Sequence, residues 1–206
     1  MIENDSYKTI SKLSKEVLYK DKNSKFYGYA FPVSTEEKVK FHIENLKKIH
    51  HGARHWCYAY RIGELESNLS FRANDDGEPN NSAGMPIYGQ IQSFNLTNVL
   101  IVVVRYFGGT KLGVGGLISA YRTTAQMALE TSSIISKTIN VKYLIVFDYK
   151  HMNKVMRIIK ERNLHIIHQT LELNCQITIA VRFRDAQSVF ELFNAIHDIQ
   201  IEILND

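Results

Sequence analysis

Apolar and polar positions alternate along much of this chain, and the alternation defines its first elements. Residues 7–19 and 24–33 predict two strands around the turn Asp21-Lys22-Asn23-Ser24, the second carrying Phe26, Tyr27, Tyr29 and Phe31. Ser34-Thr35-Glu36-Glu37 has the form of a capping box, and Val39, Ile43, Leu46 and Ile49 then recur at helical spacing to about His50. Residues 53–62 predict a strand with His55, Cys57 and Ala59 on one face and Trp56, Tyr58 and Tyr60 on the other. From Leu65 to Pro86 no period holds, and Asn74 to Asn81 is a dense run of turn formers. Asn98 to Phe107 is a continuous β-branched run, the pattern of a strand covered on both faces. It leads through a glycine-rich segment into a helix that extends to about Glu130 and buries Leu117, Tyr121, Thr124 and Ala128.

Near residue 137 the rhythm changes. Residues 139–148 predict a strand with Val141, Tyr143, Ile145 and Phe147 on one face. A helix follows on Met152, Val155, Met156 and Ile159, then strands at about 164–171 and 173–183. Asp185 can cap a second helix carrying Val189, Leu192, Phe193 and Ile196, and residues 199–204 supply a last strand. The order β-α-β-β-α-β is ferredoxin-like. The fold class is therefore α+β with two domains, expected at 1–136 and 137–206.

Composition narrows the function classes. The chain has 206 residues, 45% of them apolar and 22% charged, enough to bury two small cores. Cys57 and Cys175 are its two cysteines, too few and too far apart for a disulfide framework or a zinc knuckle. No apolar run approaches a membrane span, and Met1-Ile2-Glu3-Asn4-Asp5 is acidic where a secretory signal is basic then apolar. A soluble cytoplasmic chain is expected, with no membrane partner. The net charge of +4 lies entirely in residues 1–137, with 17 Lys+Arg against 13 Asp+Glu, while residues 138–206 balance at 8 and 8. That asymmetry fits either a polyanion partner for the first domain or a solvated lysine surface.

Three constellations carry chemistry. The first is Gly108, Gly109, Lys111, Gly113, Gly115 and Gly116, between a buried strand and a helix, where backbone N–H groups and the helix dipole can hold an anion. Arg105 lies just upstream and Arg122 downstream. The spacing is neither that of a P-loop nor that of a dinucleotide fingerprint, and close helix–sheet packing would also explain the glycines. The second is the acidic turn Asp75, Asp76 and Glu78, which could hold magnesium, pair with Arg105 and Lys111, or serve ordinary turn chemistry. The third is His55 with Cys57 on one strand face, better explained as a satisfied histidine and a buried thiol than as a zinc or Cys–His site. Aromatic residues over 19–31 and 56–60 could stack bases, but alternation on a strand is also what a core face needs. No nucleophile, base and orienter occur together, so no catalytic residue, resident metal or cofactor is assigned.

His55-x-Cys57-x-Ala59-Tyr60, Asp75-Asp76-Gly77-Glu78-Pro79 with Ala83-Gly84-x-Pro86-Ile87, and Arg105-Tyr106-Phe107-Gly108-Gly109-x-Lys111-Leu112-Gly113-x-Gly115-Gly116-Leu117 resemble, with Tyr121, the motifs of the IMPACT/YigZ family over about residues 15–130. The resemblance implies a first domain of the ribosomal-protein β-α sandwich type and a ferredoxin-like second domain, both similar to domains of elongation factor G. It also implies a link to translational control, since the eukaryotic branch binds the activator of an initiation-factor kinase. Met85, Ser82 and Ser119 stand where the family usually has Arg, Thr and Arg. The expected role is a non-enzymatic regulator that meets RNA, a ribosomal or translation-factor surface, or another protein. The competing role is an enzyme holding a small phosphorylated ligand or nucleotide on loop 108–116.

Overall fold

The structure is a computed structural model that describes residues 5–204. The acidic stretch of residues 1–4 lies outside the described residues. Tyr7–Lys137 forms one compact unit, and the chain from Thr138 on forms another that also takes in Asp5 and Ser6.

The first unit is built on an antiparallel sheet of five strands: β2 (Val17–Asp21), β3 (Ser24–Pro32), β4 (His55–Ile62), β5 (Ser70–Asn74) and β6 (Val99–Tyr106), in the order β2-β3-β6-β4-β5. The hairpin β2-β3 turns on Lys22 and Asn23, both at positive φ (43° and 64°), the two-residue geometry that matches strand twist. Val99 to Val104 are fully buried because helices cover both faces of β6, as the continuous apolar run requires. On one face lies α1 (Glu36–Ile49), over Tyr29, Phe31, Tyr60, Leu100 and Val102. On the other lie α2 (Gly84–Ser93) and α3 (Gly113–Glu130), over Phe26, Ala30, Cys57, Ala59, Ile101 and Val103.

Several expectations for this unit change. Residues 7–19 are not one strand: β1 (Ser6–Ile10) pairs instead with β7 (Ile134–Thr138), and Ser14 between β1 and β2 bonds Ala30. Thr35 rather than Ser34 caps α1, accepting from the Lys38 N–H at 3.4 Å, so its third helical residue is a lysine and the capping box does not close. Helix α2 was hidden by Pro86 and Gly89, although Ile87 and Ile91 sit four apart and both are buried. The strand aromatics Tyr29, Phe31 and Tyr60 pack beneath α1 and are unavailable to bases.

Under α1 a polar chain threads the aromatic layer. The Tyr29 hydroxyl donates to Glu16 and accepts from His50 Nε2 at 2.6 Å, which leaves His50 Nδ1 to accept from the Tyr106 hydroxyl at 3.0 Å. Burial lowers the His50 pKa from its usual 6.5, against the smaller upward pull of Glu16. The unfolded chain therefore takes up a proton first as pH falls, and the contribution of neutral His50 is present above about 6.5 and lost below it. Urea midpoints of this unit should fall between about pH 7.5 and 5.5, and His50→Gln should flatten part of that slope.

The second unit runs β8 (Asn140–Asp148), α4 (Met152–Glu161), β9 (His165–Thr170), β10 (Asn174–Arg182), α5 (Phe183–Asn194) and β11 (Ile199–Leu204). Its strands pair antiparallel in the order β11-β8-β10-β9, the ferredoxin-like arrangement. Tyr143, Ile145, Phe147, Ile177 and Ile179 form the core with Val155 and Phe193. Asp185 lies inside the first turn of α5, which begins three residues earlier than its cap role implied. The Asp5 carbonyl accepts from the Ile139 N–H at 2.7 Å, which ties the described start of the chain to this unit.

Candidate functional site

The inward parity of β4 and β6 sets the site. Ile101, Val103 and Arg105 share one face of β6, and Arg105 pairs in register with His55 of β4 and Phe26 of β3. A charged group on a buried face needs a buried partner. Glu78 supplies it: its Oε1 accepts from Arg105 Nη1 at 2.6 Å and from the Tyr121 hydroxyl at 2.8 Å. The side chains of Arg105 and Glu78 are only 6% and 4% exposed. The Arg105 guanidinium lies over the rings of Phe26 and Phe107, at 5.4 and 5.5 Å.

The other two acidic residues of the turn are also engaged, Asp75 fully and Asp76 through one oxygen and its carbonyl. Asp75 accepts three backbone N–H bonds, from Asn81 at 2.8 Å, Ala83 at 2.9 Å and Gly84 at 2.8 Å, and so anchors the start of α2. Asp76 takes over where β5 ends, its Oδ2 accepting the Trp56 N–H at 2.7 Å. Its carbonyl accepts from His55 Nδ1 at 2.8 Å, which places the proton on that nitrogen and turns Nε2 toward Glu78, 3.9 Å away. The Cys57 thiol points between the Asp75 carbonyl at 3.0 Å and the Tyr121 oxygen at 3.3 Å. Burial pushes both Cys57 and Tyr121 well above their usual ranges, so each keeps its proton.

A thiol held neutral and buried is no nucleophile. Cys57 and Cys175 are both buried and free, so a thiol reagent at neutral pH should label neither in the native chain and both in denaturant. Labelling of Cys57 at the rate of a free thiol would contradict the network. Among the described residues no group of three or more His, Cys, Asp or Glu is arranged to hold a metal ion.

The glycine segment divides by role. Gly108 is pressed onto the turn of the β2-β3 hairpin and donates its N–H to Ser24 Oγ at 3.1 Å. Gly109 and Gly113 adopt positive φ (86° and 75°), which only glycine adopts freely. Gly116 sits tightly against Leu112, while nothing crowds Gly115. The first turn of α3 has neither a capping side chain nor an acidic residue, so its N–H groups keep their positive end. Lys111 is exposed and makes no ion pair among the described residues, and Phe107 and Val114 flank it, 41% and 53% exposed.

The expected partnership of Arg105 and Arg122 with this loop changes. Arg105 is consumed by Glu78. Arg122 is nine residues along α3 from Gly113, about 13 Å down the axis, and lines a separate shallow groove with Met85, Gly89 and Ile118.

With this geometry in place, the Impact N-terminal domain family matches residues 22–129, a span that contains every residue of the buried network and of the glycine loop. The chain belongs to the IMPACT family. It is 32% identical over 199 residues to the IMPACT family member YvyE of Bacillus subtilis, covering 95% of this chain and 90% of that protein. It is 30% identical over 160 residues to an IMPACT family member of Haemophilus influenzae, covering 78% of each. A crystal structure of a hypothetical protein superposes with a TM-score of 0.70 and 25% identity, covering 98% of this chain and 99% of that one. No helix among the described residues is long and apolar enough to cross a membrane.

Proposed function

We propose that this IMPACT family chain is a non-enzymatic, translation-associated binding protein that meets RNA through the loop surface of its first unit. The observation that carries the reading is the division of labour around Glu78. Asp75 and Glu78 are spent inside the turn and Asp76 is turned to the Trp56 N–H, while Lys111, Phe107 and Val114 are exposed and the first turn of α3 is open. An enzyme on small phosphates would need a free carboxylate for a metal or a base beside that loop; Asp75 and Glu78 are engaged, and Asp76 lines the groove under α1 instead. The basic excess of residues 1–137 supports the same reading, as does the family link to translational control.

The test is binding of a mixed RNA pool across a salt series. Affinity should fall steeply with salt, and Lys111→Ala should lower the slope of log affinity against log salt by about 1. Thermal-shift screening of nucleotides and sugar phosphates with magnesium is the counter-test. A ligand at 100 times its dissociation constant that stabilises by about 2.7 kcal/mol would favour the enzyme instead.

A further inference from the structure

A second surface of the first unit, on the sheet face opposite the buried network, has the chemistry of a nucleotide site. A groove of about 270 Å³ runs between α1 and the ends of β4 and β5. Lys40 and Lys47 line it from α1; seven residues apart, they project from one side of the helix. Trp56 and Tyr58 form its floor, two apart on β4 and so on one face of the strand. Asn74 and Asp76 close the far side, and Glu44 stands between the lysines.

Three of these groups have capacity left over. Trp56 Nε1 is buried and has no acceptor, although buried indole N–H groups normally find one. Asp76 spends Oδ2 on the Trp56 N–H, which leaves Oδ1 as an acceptor. Asn74 spends Oδ1 on the Asp76 N–H at 2.7 Å, which leaves its amide hydrogens as donors. The Lys47 ammonium sits 5.6 Å over the Trp56 ring, a position from which it can swing to a phosphate.

We infer that this groove binds an unpaired nucleotide. Its base would lie on the Trp56–Tyr58 floor, with an adjacent donor and acceptor on its pairing edge facing Asp76 and Asn74, a pair that every nucleobase presents. Its phosphate would lie on Lys40 and Lys47. The inference rests on the reading of the first unit as RNA-binding and places a second contact away from the glycine loop. An acidic or aromatic peptide is the competing occupant. It suits the groove less well, because Asp76 opposes a chain of carboxylates while a base edge uses it as an acceptor, and a peptide has no flat edge to match the Asn74 amide beside it.

Trp56 is the only tryptophan in the chain, so its fluorescence reads the groove in the intact protein. Adenosine and cytidine monophosphates, and short oligo(A) and oligo(C), are the probes. Saturable quenching that weakens with salt is expected. An RNA source gives tighter binding of the oligomers, and a free nucleotide gives equal binding of monomer and oligomer. Lys40→Ala, which leaves the indole untouched, should weaken it on the order of tenfold without altering the circular-dichroism melt. Lys111→Ala should leave the quenching in place even where it lowers total RNA affinity, which separates this site from the loop. No saturable change with any nucleotide or oligomer, quenching indifferent to Lys40→Ala, or a response to peptides alone would overturn the inference.

Discussion

Replacing Arg105 by Met should cost the first unit about 3–5 kcal/mol of unfolding free energy, because it leaves Glu78 buried with its charge uncompensated. The guanidinium is bonded at 2.6 Å to a carboxylate that is 4% exposed, and only the Tyr121 hydroxyl would remain on that oxygen. Glu78→Leu combined with Arg105→Met should recover much of the loss, since an apolar pair in the same space carries no stranded charge. Urea unfolding followed by Trp56 fluorescence reads this unit alone. A loss below about 1 kcal/mol would place the pair among ordinary surface ion pairs and would contradict the role of Glu78 as the buried partner of Arg105. The same reasoning bars Arg105 from any test of ligand contact, since its removal acts on the fold first.

The second large effect is at Gly108. A methyl group there would lie 2.1 Å from the Asn23 carbonyl carbon and 2.4 Å from its oxygen. Both are backbone atoms of a tight hairpin, so nothing can rotate aside. Gly108→Ala should cost about 3 kcal/mol or more by overpacking. Gly115→Ala makes the contrast, because its added methyl meets nothing within 4 Å in the first turn of α3. That change should be neutral or stabilising by up to about 1 kcal/mol. Urea midpoints of the two variants, read side by side, test whether the segment is one structural turn or a turn with a free surface beyond it. Equal losses at both positions would remove the distinction.

The elements built on unbroken periods were legible from residues alone. The Val99–Val104 run required helices on both faces, and the second unit's alternation gave its strands and their inward faces. Helix α2 was not legible, because Pro86 and Gly89 break a propensity that tertiary burial of Ile87, Tyr88 and Ile91 restores. β5 was not legible either, since Ser70 to Asn74 is an edge strand whose register comes from β4 and not from its own pattern. At the site, the pairing of Glu78 with Arg105 was one of three readings open to the turn. Parity favours it: Arg105 continues the inward face of Ile101 and Val103, and a charge placed there must find a counter-charge. Lys111 carried no such constraint and remains outside. Arg122 looked adjacent because it is close in sequence, yet nine helical residues carry it to another groove. The groove over Trp56 and Tyr58 had only aromatic content as a signal, and the same content beneath α1 turned out to be core.

RNA binding at the glycine loop is tested most directly by salt-dependent binding of a mixed RNA pool to the wild-type chain and to Lys111→Ala combined with Val114→Ser. Both positions are exposed and outside the buried network, so circular dichroism should show the double variant folded. Wild-type binding should weaken steeply with salt, and the double variant should show lower affinity and a salt slope smaller by about 1. Wild-type affinity indifferent to salt, no wild-type binding at low salt, or a folded double variant that binds as well as the wild type would contradict it.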